Sequence, residues 1–455
     1  MRRFALRSVA LSSAILVGAA LAGTRPQYGG NLRVETHIVP TSLDPADSTQ
    51  PESVARANMT ALLFDTLIVL DAQGRSRPSL ASSWQVEPGN QRWTFNLRPG
   101  AKFHDGSAVT PDAVAASLRV ANPTWSVLAS SGAVVIERDS PSPELPYELA
   151  RSRNSIVKRD GVKIFGTGPF RVQSFTPGRH LTLVANEDSW AGRPYVDSVD
   201  IDFGRSGRDQ LIALDAGRID VAEVTPDQTS RAASMNRPTL SSAPIELFEL
   251  SFLRDPTSTD DKTLRLALAL SIDRASIRRV ILQSSGESTA ALLPNWISGY
   301  AFVFPSGQNL ALARQKRAEA KTARTLSLAF DSSDPFVELV AERVILNAKD
   351  AGITMQTTTS ATPDLRLIHI PLDTVTARVA LTELTSQAGL PNPRLANVSA
   401  DALYQAESAA LQTQRMIPLF YVPARYALAP QVRDAKLSIT GSPRLADVWI
   451  GAPAR

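Results

Sequence analysis

Several segments of the chain alternate apolar and polar residues, a period of two that is typical of half-buried β-strands. Two of these segments, residues 170–175 and 180–184, are separated by a Pro-Gly pair and are predicted to form a hairpin. Further strands are predicted at residues 93–97 and 196–203. The pattern therefore indicates a fold that is rich in sheet.

A βαβ unit is predicted farther along the chain. Residues 326–330 and 353–357 have strand patterns, and the segment between them, residues 335–351, has a helical pattern. Asp334 is placed to cap this helix, and Gly352 is placed to end it. Because strands joined through a helix pair in parallel with a right-handed crossover, part of the sheet should be parallel.

Two more helices are predicted, and they help to divide the chain. Residues 111–119 follow Thr110 as a cap, and residues 263–280 place their leucine and isoleucine side chains on one face. The polar segment 255–259 comes just before the second helix and is a candidate boundary. The chain has 455 residues. At about 100–200 residues per domain, this length indicates two or three units.

The start of the chain has the pattern of an export signal. Arg2, Arg3 and Arg7 precede an uncharged run over residues 9–21, and Ala20-Leu21-Ala22 fits a cleavage site. We expect residues 1–22 to be a signal peptide. The alternative is an uncleaved anchor, but the run is shorter than the about 20 apolar residues that span a bilayer.

The chain contains no cysteine. This excludes disulfides, thiol nucleophiles, thiolate metal sites and a lipid-modified cysteine. We therefore expect a mature protein that is periplasmic and not lipid-anchored.

The charge of the mature chain is close to neutral. The full chain has 48 basic and 44 acidic side chains, and removing the three arginines of residues 1–22 leaves 45 against 44. The remaining basic residues are scattered and form no stripe. Nucleic acid is therefore not an expected partner, because its binding depends on neutralising phosphates.

Catalytic and metal-binding motifs are not found. The four histidines, His37, His104, His180 and His369, have no metal-ligand spacing. Residues 286–290 partly match a nucleophile elbow but lack its second glycine, and residues 166–171 begin like a dinucleotide loop but continue with proline and arginine. We therefore expect no enzyme activity, no metal and no cofactor, although a dispersed catalytic site stays open as an alternative.

Five ordered segments carry motifs that resemble one known family. They are Leu43-Asp44-Pro45, residues 80–84 with 93–114, residues 166–170 with 186–194, residues 265–274 and residues 417–421. This set is similar to the peptide/nickel-type family of extracellular solute-binding proteins, the substrate-binding proteins of ABC transporters that include dipeptide- and oligopeptide-binding members.

The resemblance implies a fold class and an approximate division of the chain. The fold would be the α/β, two-lobed periplasmic binding protein-like fold (type II), with lobes joined by two crossing strands near residues 246–252 and 417–422. The implied parts are lobe I over residues 28–249, with a reduced subdomain at about 63–165, lobe II over residues 250–416, and a return to lobe I over residues 417–455.

The resemblance also implies a function. The protein would capture a peptide-like or other small solute by closing its lobes, and would deliver it to a membrane ABC permease. We expect it to act as a monomer. A transport-independent binding or sensor protein of the same fold is the main alternative, and a secreted hydrolase is a third hypothesis from a different class.

Ligand contacts are predicted at six residues. The first three lie in a loop that faces the cleft in similar proteins, the fourth suits an anionic group, and the last two are aromatic residues that could stack on a ligand. Core packing is the alternative role for both aromatic residues. The six residues are Ser48, Thr49, Gln50, Arg254, Trp296 and Tyr300.

Overall fold

A computed structural model describes residues 25–321, 324–393, 395 and 398–451. The predicted signal peptide, residues 1–22, lies outside the described residues. Within the described ranges, no helix combines the length and the hydrophobicity that crossing a membrane requires.

Strands in chain order are β1 Asn31–Glu35, β2 Ile68–Leu70, β3 Ser76–Pro78, β4 Ala81–Val86, β5 Arg92–Leu97, β6 Ser126–Ser130, β7 Ala133–Glu137, β8 Lys158–Asp160, β9 Lys163–Phe165, β10 Phe170–Thr176, β11 His180–Ala185, β12 Ser198–Asp202, β13 Val221–Glu223, β14 Thr239–Phe252, β15 Glu287–Ser288, β16 Leu326–Ala329, β17 Met355–Thr357, β18 Leu365–Pro371, β19 Met416–Leu428, β20 Val432–Arg433 and β21 Trp449–Ile450.

Helices in chain order are α1 Val54–Leu63, α2 Pro111–Ala121, α3 Leu145–Leu149, α4 Gly207–Asp215, α5 Thr229–Ser234, α6 Thr259–Ser271, α7 Arg274–Ser276, α8 Asn295–Ser298, α9 Leu310–Glu319, α10 Pro335–Asp350, α11 Ala377–Gln387 and α12 Ala400–Gln412.

The largest sheet runs through both halves of the molecule in the order β10-β11-β12-β1-β13-β19-β14-β18-β16-β17. Strand β1 is parallel to β12 and β13, and β16 is parallel to β17 and β18. Strands β14 and β19 lie between these two parallel groups and pair with each other in antiparallel fashion. They are the two strands that cross between the halves.

Separate hydrophobic cores lie on the two sides of this crossing. The lobe I core packs α1 and α4 against β1 and β11–β13, and it includes the end of β19 at Tyr426. The lobe II sheet carries one core under α6 and α10 and another under α11 and α12. The first of these includes Phe248 of β14 and Phe420 of β19. Both crossing strands therefore contribute to the lobe I core at one end and to the two lobe II cores at the other.

Irregular strand pairing marks the point where β14 and β19 pass from one lobe to the other. The pairing register shifts on both sides of Pro244, which lies opposite Pro423. Proline has no backbone N–H, so two facing prolines weaken the ladder at this point. We call residues 241–245 with 423–425 the hinge.

A small subdomain has its own core. A four-stranded sheet in the order β4-β5-β7-β6 is covered by α2 and α3. It is attached to lobe I where the backbone of Gly168 donates to the carbonyl of Leu63, at 3.0 Å. The predicted limits of the lobes and of this subdomain stay a prediction.

The predicted βαβ unit is confirmed. Helix α10 starts at Pro335, its cap Asp334 accepts from the backbone N–H of Phe336 at 2.8 Å, and β16 is parallel to β17. The chain leaves the helix at Gly352, which has a left-handed φ of 78°. The predicted hairpin is likewise confirmed as β10 and β11.

The predicted single helix over residues 263–280 is wrong. Helix α6 starts earlier and ends at Ser271, because Ile272 has an extended backbone. The side chain of Asp273 then accepts from the backbone N–H of Ser276 and starts α7, which is followed by a π-helical turn at Ile277–Ile281. The apolar period continues through this break, so the pattern alone predicted one helix.

Candidate ligand-binding cleft

The loop of residues 44–50, which follows β1, is held in place by one buried arginine of α1. The guanidinium of Arg56, on α1, donates to the carbonyls of Asp44, Asp47 and Gln50 at 2.9–3.1 Å. Arg159 adds a two-pronged pair with the Asp44 carboxylate, at 2.7 Å for both bonds. Charge-assisted bonds of this kind are strong and directional. The loop is therefore rigid enough to present side chains to a ligand.

The three predicted ligand residues of this loop have different surroundings. Ser48 and Thr49 are exposed, and the Thr49 hydroxyl donates to Asp47 at 2.6 Å. The Gln50 side chain donates to the carbonyl of Ser42 and accepts from the backbone of Thr41, both at 3.1 Å. Gln50 is thus bonded within the loop, while Ser48 and Thr49 face solvent.

The other three predicted residues lie in lobe II or beside it. Arg254 is exposed just after β14. The indole N–H of Trp296 donates to the carbonyl of Pro244 in the hinge, at 2.7 Å. Tyr300 is 8% exposed, and its hydroxyl donates to the buried carboxylate of Glu407 at 2.8 Å. The two aromatic residues therefore have structural bonds, and the ligand roles of all six residues stay a prediction.

Charged side chains from both lobes meet beside this loop. The Arg151 guanidinium, from the subdomain, donates to Asp373 at 2.6 Å and to Glu383 at 3.0 Å, both on lobe II. Burial raises the pKa of Glu52, at the start of the helix that the loop leads into, and the nearby charge of Asp373 adds to this effect. We call Glu52, Arg151, Asp373 and Glu383 the cleft cluster.

A second charged group lies against the hinge. His37 follows β1 and contacts Glu223, at the end of β13, with 2.7 Å between Nδ1 and the carboxylate. His369 of β18 contacts Glu246 of β14 at 2.6 Å. The charge of Asp334 acts on both histidines. We call these five residues the hinge cluster.

Ion pairing keeps the hinge cluster charged. Burial disfavours the His37 cation, but the Glu223 carboxylate outweighs burial and raises the pKa of His37 to about 9. Burial also lowers the pKa of His369, and Glu246 outweighs it, so that the pKa of His369 is raised. The pKa values of Glu223 and Glu246 are lowered by their histidines against the effect of burial.

The two clusters lie on opposite faces of the crossing strands. The ring of His369 stacks on Phe248, with centroids 5.2 Å apart, and Phe248 faces the core under α6 and α10. Glu383, which binds Arg151, lies on α11 next to Leu384, and Leu384 packs with Leu247 in the other core. Successive side chains of a strand point to opposite faces, as Leu247 and Phe248 do. Although they lie on different faces, both clusters include residues at the carboxyl ends of strands, where one lobe meets the other.

This position follows from the topology. Carboxyl ends of the parallel strands β1 and β13 lie together in lobe I, and those of β16 and β18 lie together in lobe II. Ligands of open α/β sheets bind in the crevice outside such ends. Polar residues that follow apolar strands, such as His37 and Asp373, are the sequence signal for this crevice. This signal was missed, because the histidines were tested only for metal-ligand spacing.

A separate concavity of about 430 Å³ lies on the polar face of the lobe I sheet. Its walls carry charges of both signs, including Arg33, Asp200 and Arg205. Arg33 is already paired with Asp220 at 2.9 Å. Because these walls belong to lobe I alone, closing the lobes would not enclose this space, and we place the candidate site in the cleft. In the described part of the chain, no group of three or more His, Asp or Glu residues has a geometry suited to a metal ion.

Comparison with known proteins decides the family. Residues 76–367 match the profile described as "Bacterial extracellular solute-binding proteins, family 5 Middle". The chain belongs to this family. The match covers three of the five segments on which the resemblance was based, and the predicted family is confirmed.

Relatives among curated proteins include the "Uncharacterized protein YhjP" of Bacillus subtilis, 33% identical over 36% of this chain and 31% of that protein. The "Probable D,D-dipeptide-binding periplasmic protein DdpA" of Escherichia coli is 26% identical over 58% of this chain and 57% of that protein. The chain thus matches less than two thirds of the length of either relative.

Solved structures share the fold over nearly the whole chain. Haemophilus influenzae OppA in complex with the peptide RPPGFSPFR has a TM-score of 0.80 and 17% identity, and the match covers 94% of this chain and 100% of that one. Staphylococcus aureus NikA in complex with Ni(L-His)2 has a TM-score of 0.78 and 17% identity, with coverage of 92% and 99%. The predicted two-lobed α/β fold class is confirmed. This family and these neighbours consist of binding proteins and not of enzymes.

Proposed function

We propose that this chain is the exported solute-binding component of an ABC importer. It captures a peptide-like or other small solute by closing its lobes, carries out no chemistry on it, and delivers it to a membrane permease as a monomer. Residues 1–22 direct its export to the periplasm. The observation that carries this proposal is the pair of crossing strands with charged residues of both lobes facing each other beside them.

Closure follows from the hinge. Two facing prolines and two register shifts give β14 and β19 a weak point between two well-packed cores. A ligand that contacts both lobes makes all of its contacts only in the closed form, so it shifts the population toward closure. The lobes move as units, because each has its own core.

The class of ligand is proposed from the relatives and from the cleft. The named relatives and neighbours include proteins described as binding a D,D-dipeptide, a nonapeptide and a nickel–histidine complex. These ligands share amine and carboxylate groups, which charged residues of both signs can recognise. We place the polar contacts at Ser48, Thr49 and Gln50, an anionic group near Arg254, and apolar parts near Trp296 and Tyr300.

Native mass spectrometry of protein purified from a periplasmic extract tests this proposal. We expect a co-purified small molecule, and we expect the same molecule to raise the unfolding temperature of ligand-free protein and to reduce the radius of gyration in solution. Dipeptides, tripeptides and the nickel–histidine complex serve as a defined panel. The proposal would be contradicted if no ligand co-purified and no panel compound bound. It would also be contradicted if the protein hydrolysed the panel peptides.

Matched variants test the site. If the ligand carries an anionic group, Arg254→Ala should weaken binding about tenfold or more, as expected for a lost charge-assisted bond. Arg279→Ala removes another exposed arginine of the same lobe and should leave the affinity unchanged. Equal affinities of the parent protein and both variants would show that Arg254 does not bind the ligand, and would leave the proposed function unaffected.

A further inference from the structure

The cleft cluster contains a contact that joins two separately packed parts of the molecule. Arg151 follows α3, whose residues Leu145 and Leu149 lie in the core of the subdomain. Asp373 follows β18, and Glu383 lies on α11 next to Leu384, which is part of a lobe II core. The bonds from Arg151 therefore cross the cleft and not the interior of one domain.

The subdomain is fixed to lobe I and moves with it. Gly166 and Gly168 approach the carbonyl of Leu63 so closely that a Cβ at either position would lie within 3 Å of it. Trp190 also donates to Asp65, at 2.7 Å. Rotation about the hinge would thus separate Arg151 from its two carboxylates on lobe II.

The contact is well shielded from solvent. The side chains of Arg151, Asp373 and Glu383 are 11%, 22% and 17% exposed. Two different nitrogens of one guanidinium bind the two carboxylates, which come from a strand end and a helix. Arginine suits such a forked contact better than lysine does. Burial alone would raise the pKa of Glu383, but Arg151 outweighs burial and lowers it.

Neighbouring contacts on the same side are weaker. Arg378 of α11 lies 3.9 Å from Glu144 of the subdomain, with no hydrogen bond to it from that nitrogen. Val375 of lobe II packs near Gly74 of the subdomain. These contacts place the surfaces next to each other, while Arg151 supplies the strong bonds.

We propose that Arg151, Asp373 and Glu383 form a latch that holds the two lobes closed without a ligand. Removing the guanidinium leaves two carboxylates shielded and close together, which favours a rotation that returns them to water. The latch would set the fraction of ligand-free protein that is already closed. It would therefore also set the open fraction that a ligand must bring to the closed form. The inference rests on the proposed lobe closure, but not on the identity of the ligand.

Single-molecule energy transfer on ligand-free protein measures the closed fraction directly. Because the chain has no cysteine, Val162→Cys on the subdomain and Ser386→Cys on lobe II provide two labelling sites without background. In this labelled protein, Arg151→Ala should raise the open-to-closed ratio by about tenfold or more. Arg151→Lys should restore part of the closed fraction, because it keeps the charge but loses the fork.

The matched control is Arg153→Ala. Arg153 lies two residues away, and the hydrogen bond found for its guanidinium goes to the carbonyl of Ala121 within the subdomain. This variant should shift the closed fraction far less than Arg151→Ala does, because the charge of Arg153 acts on Glu383 without a hydrogen bond to it. An equal shift in Arg151→Ala and Arg153→Ala, or no shift in Arg151→Ala, would overturn the latch.

A second set of variants guards against a folding defect at Arg151. Asp373→Asn with Glu383→Gln removes the charges from the lobe II side and should also raise the open fraction. Adding Arg151→Ala to this pair should then have little further effect, because the three residues act together. Additive shifts would contradict the proposal. Loss of ligand binding in the preceding experiments would leave this measurement valid, since it uses protein without ligand.

Discussion

Two buried glutamates of lobe II differ in whether their carboxyl groups receive hydrogen bonds. Glu407 receives hydrogen bonds from the backbone of Leu292 and Leu293 and from the Tyr300 hydroxyl. Burial still raises the pKa of Glu407 to about 7, against the effect of these donors. Glu249 is completely buried, and neither of its oxygens has a hydrogen-bond partner in the described structure. Burial raises the pKa of Glu249 to about 8. It is therefore neutral at pH 7.

Replacing Glu249 by leucine should stabilise the protein. Because the pKa in the folded state lies above the ordinary value of 4.5, the folded protein loses stability as pH rises from about 4.5 through 8. Glu249→Leu should add about 1–3 kcal/mol to the free energy of unfolding. The gain should be larger at pH 8 than at pH 5, as measured by urea denaturation.

Glu342→Gln is the control for the effect of Glu249→Leu. Glu342 is an exposed residue of α10 in the same lobe, and its replacement should change stability by less than about 0.5 kcal/mol at either pH. A destabilised Glu249→Leu variant, or a gain that is equal at both pH values, would show that the carboxyl has partners in solution.

Single residues were the hardest level to predict from the sequence. The residue types at Trp296 and Tyr300 suggested contact with a ligand, yet their polar atoms bond to Pro244 and Glu407, far away in the chain. Arg151 had no local signal, because both of its carboxylate partners are more than 200 residues away. Such long-range partners follow only from the assembled fold.

Elements were predicted well where the signal is local. The cap at Asp334, the stop at Gly352 and the Pro-Gly turn each depend on a few neighbouring residues, and each lies where the sequence placed it. The break at Ile272 was missed because the apolar period does not change there, while the cap at Asp273 restarts the helix. Gly166 and Gly168 were noted only as the start of a dinucleotide-like loop, but both make close contact with the end of α1.

Gly166→Ala should weaken the attachment of the subdomain to lobe I. A Cβ at this position would lie 1.8 Å from the carbonyl oxygen of Leu63 at the end of α1, so backbone must move. We expect a loss of about 1–3 kcal/mol or more in the free energy of unfolding. Gly307→Ala is the matched control, because a Cβ there meets nothing within 4 Å and φ is not left-handed. Equal stability of the two variants would contradict the close approach.

At the scale of the whole molecule, charges from both lobes meet on each face of the crossing strands. On one face, opening of the lobes would separate Arg151 from Asp373 and Glu383. On the other face, the charges of Glu246 and Asp334, which lie on the lobe II side, help to raise the pKa of His37 of lobe I. The family resemblance predicted the two lobes and the crossing strands, but the motifs that carried it are turns and caps. They identify the fold and do not specify these charges.

The hinge cluster should make stability fall in alkaline solution. The pKa of His37 is raised from 6.5 to about 9, so its pairing with Glu223 is fully present below about pH 6.5 and is lost as pH rises through 9. His37→Asn should therefore lower the unfolding temperature more at pH 6 than at pH 10. His180→Asn is the control, because its partner Asp202 lies within lobe I and is 44% exposed, whereas Glu223, the partner of His37, is 17% exposed. A His37→Asn effect of the same size at both pH values would mean that His37 stabilises the protein by packing alone, and that the charges facing it across the hinge are screened by water.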